Sequence, residues 1–545
     1  MKLVLASIHI EPSTRAVPLG PALLSSVLRR AFGAAIETRI VDFFVGQQAA
    51  ACADRILESD PDLVGFSMYV WNRGLALETA TILKERRPSL IIFSGGAEAT
   101  ADQAGVRAHP AMDFVLPGEG EDLIVHTMRR LMQGVTPQEI GRTARAMLVN
   151  DLASLPSPYL DGTLRPADYG GALWELSRGC PFTCDFCDEA RGPGGLRRFP
   201  TERMEAELEL FAASGIPEVF VLDPTFNYHK DNAKQVLRLI AAKAPSIHFF
   251  LEIRSEFIDP EMTELFAGIR CSLQIGLQSA HDEVLQNISR TFDPVDFEAK
   301  TLLLHEAGVT YGFDLIYGLP GDSLDGFRAS LDFAMGLVPN HLDIFCLSVL
   351  PGTRLSETAA GLNLNYAAGH PYYVISSPTF SQDDMTLAAR IAQGCDVLYN
   401  HGKAVPWFGI ILEALEMLPS EVFGRFATWM DSHTCEDLTG TQSEFVISLF
   451  EERGAPQLGS IAADLVRYFG YAAELMDSPP VQADQDIPPS RRVAFNHDPN
   501  DLLVQIEAGT LSLEELLFSL PAKTCEAILS VNDGEIAIET LTVLA

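Results

Sequence analysis

The sequence predicts an α/β protein of three units: an N-terminal parallel sheet with helices on both faces, a central partial (β/α)6 barrel, and a C-terminal mainly helical region. Three observations predict it. β-rich runs alternate with amphipathic helical runs up to residue 116, six more strand–helix intervals follow from Leu173, and the rhythm fades beyond about Leu362. A length of 545 residues gives the same count at roughly 150 residues per domain. The units are expected at 1–150, 171–362 and 363–545, joined by a linker at 151–170.

In the first unit the expected strands are Leu3–Ile8, Thr38–Phe43, Leu63–Ser67, Leu90–Ser94 and Phe114–Leu116, with helices over Pro21–Ala31 and Leu75–Arg87. Ligands of such sheets bind at the carboxyl ends of the strands, where Ser67 and the pair Gly95 and Gly96 stand. Asp151–Gly170 carries three prolines and little periodicity, the composition of a linker. The barrel strands are expected at Leu173–Ser177, Glu218–Leu222, His248–Ile253, Ser272–Leu277, Tyr311–Tyr317 and Asp343–Val349. Between the first two, Phe199–Ser214 reads as a helix with Thr201 as its N-cap. Helical runs at Asp384–His401 and Glu444–Glu452 mark the third unit, and a proline-rich stretch around Ser478–Ser490 precedes a short tail.

Asp and Glu outnumber Lys and Arg by 73 to 39, a formal charge of −34 that repels a phosphate backbone and argues against a nucleic-acid partner. Arg178, Arg191, Arg197, Arg198 and Arg203 form a basic island, read either as solvated arginines or as compensation for anionic ligands. No run of about 20 uncharged apolar residues predicts a membrane span, and Met1–Ile10 lacks the pattern of a signal peptide, so a cytoplasmic protein is expected.

Nine cysteines are too sparse for a disulfide scaffold, yet three fall within ELSRGCPFTCDFCDE, directly after an expected strand. Cys180, Cys184 and Cys187 can converge on one cuboidal iron–sulfur cluster and leave one iron open. A zinc site would want a fourth regular ligand, and a redox pair would need only Cys184 and Cys187.

With Phe186 before the last cysteine, the motif resembles the signature of the radical S-adenosylmethionine superfamily. The resemblance implies a [4Fe-4S] cluster whose open iron takes the amino and carboxylate groups of S-adenosylmethionine, and one-electron cleavage to a 5′-deoxyadenosyl radical. It implies an electron donor such as a flavodoxin or ferredoxin. It extends over the barrel region, about Leu173–Leu355. There Asp223 and Thr225 of LDPTFN stand where the family contacts the methionine amino group, and Glu252 and Arg254 of FFLEIRSEF resemble its ribose and carboxylate contacts. SLQIGLQS and GFDLIYGLPG resemble later strand signatures; Gly276 and Gly318 would admit the adenosine, and Gln278 stands where many relatives have Glu.

The order of units resembles the cobalamin-dependent class of the same superfamily, with a flavodoxin/Rossmann-like cobalamin-binding domain first. Ser67, Gly95, Gly96 and Glu98, the latter three within GGAEAT, resemble that domain's turns. Tyr69 and Trp71 of SMYVWNRG would cover the corrin. The histidine motif for the lower cobalt ligand is missing; EPSTRAVPLGPALL stands in its place, and His9 reads as a strand-end residue. The implied activity is methyl transfer to an unactivated carbon of a small molecule or natural-product precursor. Radical rearrangement, cyclisation or oxidation is the alternative enzyme reading, and a redox-sensing iron–sulfur protein the non-enzymatic one.

Overall fold

The computed structural model describes residues 1–189, 195–433, 435–477, 489–509, 512–532 and 535–543. Strands β1 (Lys2–His9), β2 (Glu37–Phe44), β3 (Leu63–Ser67), β4 (Ile91–Gly95) and β5 (Phe114–Val115) form one parallel sheet in the order β2-β1-β3-β4-β5. Leu3 to Ile8 are all buried, as expected of a strand with helices packed on both its faces. The order reverses between β1 and β3, which opens a crevice at their carboxyl ends. The loops after β1 and β3 border it.

The second sheet begins with β6 (Gly171–Trp174). Instead of running on to Ser177, the chain breaks and forms a short antiparallel neck of β7 (Ser177–Arg178) with β8 (Arg197–Arg198). The break has a cause: the Asp223 carboxylate draws the Leu176 and Ser177 amides away from the sheet. Strands β9 (Glu218–Val221), β10 (His248–Ile253), β11 (Cys271–Gln278), β12 (Thr310–Tyr317) and β13 (His341–Cys346) complete six parallel strands in the order β13-β12-β11-β10-β9-β6. The last ends before Val349 because Leu347 and Val349 exchange hydrogen bonds with the segment around Tyr372–Val374. Pro200, not Thr201, precedes the helix Thr201–Ser214, and no side chain caps it.

Alternation across these strands shows what the barrel encloses. Val219, Val221, Phe249, Leu251, Ile253, Leu273 and Ile275 point outward and are buried beneath helices. Their neighbours Phe220, Phe250, Gln274 and Asp314 are half-buried, and Glu252 is exposed. Closed barrels fill their interior with side chains; this open one leaves its inward side chains partly exposed along a lumen.

A hairpin of β14 (Asn365–Tyr366) and β15 (Val374–Ser376) leads into helices from Gln382 to Met476. The tail is a β unit that the mainly helical expectation for this region did not include: β16 (Ser490–Phe495), β17 (Cys525–Asn532) and β18 (Glu535–Val543) form an antiparallel sheet. Residues 478–488 of the proline-rich stretch lie outside the described residues. The 151–170 segment is not a loose tether. Leu152, Leu155, Tyr159 and Leu164 join the apolar core shared by the first sheet, the barrel and the helices, and Tyr159 donates to the Leu173 carbonyl at 2.8 Å.

Candidate functional site

The cysteine loop leaves the barrel at the carboxyl end of β6 and is fixed at its root by Asp223. That buried carboxylate accepts the amides of Leu176 (2.9 Å) and Ser177 (3.0 Å) and the Ser177 hydroxyl (2.5 Å), so it anchors the loop and has little capacity left for a ligand. Cys184 is buried, and Cys180 and Cys187 half-buried. Burial, aided by the neighbouring thiols, pushes Cys187 up to about 11 and raises Cys180, so metal binding must displace protons there. Among the described residues no three His, Cys, Asp or Glu side chains close on a single ion. A cuboidal cluster spreads its thiolates over separate iron corners, which suits three cysteines of one loop.

Two arginines face this loop. Arg254 lies 3.9 Å over the Phe182 ring and pairs with Glu256 at 2.5 Å. Phe182 also packs edge-on against Tyr228. Arg290, which the motif reading did not include, donates to the Gly276 carbonyl at 2.7 Å and stands 3.9 Å from the Cys184 sulfur. Its Nε is buried without a partner among the described residues. Nothing in the sequence around Arg290 marks it, since it follows a short helical turn with no periodicity.

Inside the lumen, burial and the charges of Asp314 and Glu189 push Glu252 up to about 7. Glu252 is open to solvent yet enclosed by protein on most sides, which reconciles its exposure with that shift. Burial also raises Asp314 to about 6, opposed by a hydrogen bond from Gln274 and reinforced by Asp343. Asp314, which the motif reading did not include, sits within GFDLIYGLPG, where strand alternation is the signal that marks it as inward. Gln278 adopts φ +63°, and its Oε1 is buried without a partner among the described residues. Its amide folds over Gly276, in the space a Cβ there would need, at 3.0 Å. At Gly318 that space is held by the Met385 sulfur and methyl, 3.0 and 2.9 Å away. In this structure both glycines therefore make room for side chains. Phe186 packs half-buried against the core.

At the first sheet, Asn72 ties the loop after β3 to both neighbouring strands, donating to the Ile8 and Ser67 carbonyls at 3.0 Å and accepting from the Tyr69 amide at 2.8 Å. Tyr69 and Trp71 stack at 4.5 Å, with Trp71 bonded to Ile8. Burial raises the Tyr69 hydroxyl, and the charges of Glu175 and Glu189 act in the same direction. Gly96 has φ +99°, and a Cβ there would lie 2.7 Å from the Met68 carbonyl; a Cβ on Gly95 would lie 3.2 Å from that of Leu116. The adjacent Ser94 hydroxyl is buried without a partner among the described residues. These narrow backbone walls and the orphaned hydroxyl fit a ligand tail passing the sheet end. His9 sits at the end of β1, bonded to Asp42 at 2.8 Å.

Glu98 does other work. It is buried and accepts Arg73 and the Tyr372 hydroxyl, both at 2.6 Å, while Arg73 also reaches Asp102. The carboxylate clasps the first domain to the segment after β13. Three arginines of the basic island are already paired, two of them as a second clasp between the domains: Arg178 with Glu121 and Glu175, and Arg197 with Glu119, while Arg203 pairs with Glu207 along its own helix. Arg198 is half-buried near Asp223, and Arg191 lies outside the described residues.

Comparisons with known proteins agree with this architecture. The Radical SAM superfamily model matches residues 174–334, and the B12 binding domain model residues 8–127. The chain is 29% identical over 339 residues to the cobalamin-dependent radical SAM methyltransferase TokK of Streptomyces tokunonensis, covering 56% of this chain and 49% of TokK. It is 28% identical over 453 residues to the 2-(S-pantetheinyl)-carbapenam-3-carboxylate methyltransferase of Streptantibioticus cattleyicolor, covering 75% of this chain and 65% of that one. Thus it spans about half to two thirds of the length of these relatives. The fold is that of OxsB, a cobalamin-dependent S-adenosylmethionine radical enzyme, with a TM-score of 0.60 at 15% identity over 95% of this chain and 83% of OxsB. The methyltransferase TsrM of Kitasatospora setae gives 0.55 at 18% identity over 67% of this chain and 77% of TsrM. A radical SAM domain carries a [4Fe-4S] cluster and S-adenosylmethionine, and a B12 domain carries cobalamin. The chain thus carries a stretch that matches the radical SAM domain at residues 174–334, preceded by one that matches the B12 binding domain at residues 8–127.

Proposed function

We propose that the protein is a cobalamin-dependent radical methyltransferase that methylates an unactivated carbon of a small molecule. The observation that carries this reading is the ion pair of Arg178, at the root of the cysteine loop, with Glu121, just beyond β5, at 2.6 Å, which holds the carboxyl edge of the first sheet against the cysteine loop. When bound, the cluster and S-adenosylmethionine supply a radical that removes a hydrogen atom, and cobalamin supplies the methyl group. The residues of the chain orient these groups. Cys180, Cys184 and Cys187 hold the cluster. Arg254 and Arg290 offer cationic donors for the methionine carboxylate, and Glu252, Asp314 and Gln278 offer acceptors for its amino and ribose groups. Ser67, Ser94, Gly95 and Gly96 line the passage for the cobalamin tail, with Tyr69 and Trp71 over the corrin.

The six other cysteines are dispersed through the fold, so the electron must come from outside, from a donor such as a reduced flavodoxin or ferredoxin. The acidic charge disfavours nucleic acid. Among the described residues no helix is long and apolar enough to cross a membrane, and we place the enzyme in the cytoplasm.

Anaerobic reconstitution tests the reading. Iron, corrin and, with substrate, both 5′-deoxyadenosine and S-adenosylhomocysteine are expected. Iron without corrin, or 5′-deoxyadenosine alone, would instead support rearrangement, cyclisation or oxidation. Cys184→Ala is expected to abolish cluster absorbance and cofactor cleavage together, and retention of either removes it from the cluster.

A further inference from the structure

The loop after β1, where a histidine-ligated cobalamin domain carries its cobalt ligand, leaves its own domain and enters the barrel. The Thr14 hydroxyl donates to Glu218 at the start of β9. Close passage is possible because residue 171 is glycine: a Cβ there would lie 2.6 Å from the Thr14 carbonyl. The next residue, Arg15, places its guanidinium 3.9 Å above the Phe220 ring and 4.5 Å from that of Phe250. Those two residues are register partners on β9 and β10, and their rings stack at 4.8 Å. Phe250 points into the lumen two residues before Glu252, on the same face of its strand.

Arg15 differs from the other arginines around the barrel. Arg73, Arg178, Arg197, Arg203, Arg254 and Arg290 all have hydrogen-bonding partners. Arg15 is exposed, and its guanidinium makes no hydrogen bond or ion pair among the described residues. The carboxylates whose charge reaches it are Glu218, Asp343 and Glu11. Glu218 is occupied by Thr14, and Asp343 by His341 and Gln274. The phenyl rings hold the face of the guanidinium and leave its edge, a planar fork of N–H donors, open to the lumen.

We propose that Arg15 is a substrate-anchoring residue that binds a carboxylate of the small-molecule substrate in the barrel lumen. A carboxylate matches the fork with two parallel hydrogen bonds. Its single charge suits a site flanked by Glu218 and Asp343, which would repel a phosphate dianion more strongly. The proposal rests on the lumen being the reaction chamber.

Phenylglyoxal labelling of the anaerobically reconstituted full chain, saturated with S-adenosylmethionine and read by peptide mass spectrometry, tests it. Arg15 is expected to label rapidly. Benzoate at about four times its Kd should slow that labelling roughly fivefold, whereas neutral benzamide should not. No protection by benzoate, equal protection by benzamide, stronger protection by inorganic phosphate, or protection by S-adenosylmethionine alone would each overturn it. The readout needs neither corrin nor methyl transfer. Its failure is therefore distinguishable from failure of the proposed activity, which shows in metal content and products.

Discussion

The two ligand-facing edges of this protein are built from different materials. The end of the first sheet offers backbone and small side chains, with Gly95 and Gly96 pressed against the carbonyls of Leu116 and Met68 and the hydroxyls of Ser67 and Ser94 nearby. The barrel offers charge: Glu252, Asp314, Arg254 and Arg290, with the Gln278 Oε1 that is unpartnered among the described residues. A narrow backbone slot selects by shape, whereas a lumen of paired and unpaired charges selects a small ligand bearing both signs. On the proposed assignment of the cofactors, steric and electrostatic recognition are divided between the two domains.

Substitutions at the glycines test the distinction most strongly. Gly96→Ala forces a side chain into φ +99° against an immovable carbonyl, a strain of about 1–3 kcal/mol, and should leave the protein unable to retain corrin after desalting. Gly318→Ala, at φ +83°, carries a similar backbone strain but presses on the flexible end of Met385 in the barrel instead of on a carbonyl at the first sheet, and should retain both corrin and iron. Equal loss in the two variants would break the comparison.

Next in size is Arg290→Met. Hydrogen bonds to charged groups contribute about 1.5–3 kcal/mol, so S-adenosylmethionine affinity should fall roughly ten- to a hundredfold in anaerobic calorimetry with corrin content unchanged. Unchanged affinity would remove Arg290 from the electrostatic edge.

Glu252 gives a smaller effect with a definite sign. Its carboxyl titrates at about 7 in the native protein against an ordinary 4.5, so the native state holds a proton that the unfolded chain has released. Stability of the ligand-free protein therefore falls as pH rises from about 4.5 to 7. Asp314, raised to about 6, adds a slope of the same sign from lower pH. Glu252→Gln should flatten the fall in Tm between pH 5 and 7.5, and an unchanged slope would show that Glu252 is not desolvated. Tyr372→Phe removes the hydrogen bond to Glu98 and the one from Arg73 and should cost about 1.5–3 kcal/mol in denaturant unfolding while leaving both cofactor sites loaded.

Local patterns made the two sheets legible: β3 and β10 fall where alternation and apolar runs place them, and the cysteine spacing marks the loop after β6. Long-range pairing was not legible. Arg178 meets Glu121 across 57 residues and Tyr372 meets Glu98 across 274, and no periodicity encodes such partners. For that reason Glu98 read as a turn residue and the arginines as an isolated basic patch. Asp223 was recognised as important, but its service to the Leu176 and Ser177 amides depends on backbone geometry that a motif does not carry. The C-terminal sheet escaped notice because β16 meets β17 across two intervening helices, and the alternation of the adjoining β17 and β18 was not read as a hairpin.

The strap from Leu152 to Leu164 has an implication for how such proteins can be recombined. Its apolar side chains belong to the core that also contains Trp174 and Phe211. A cut at residue 150 would leave the barrel fragment with its own strap but strip away the partners of Arg178 and Arg197; a cut at 170 would leave the strap on the wrong fragment. The two domains therefore behave as one heritable unit, and a chimaera with a relative should exchange them together.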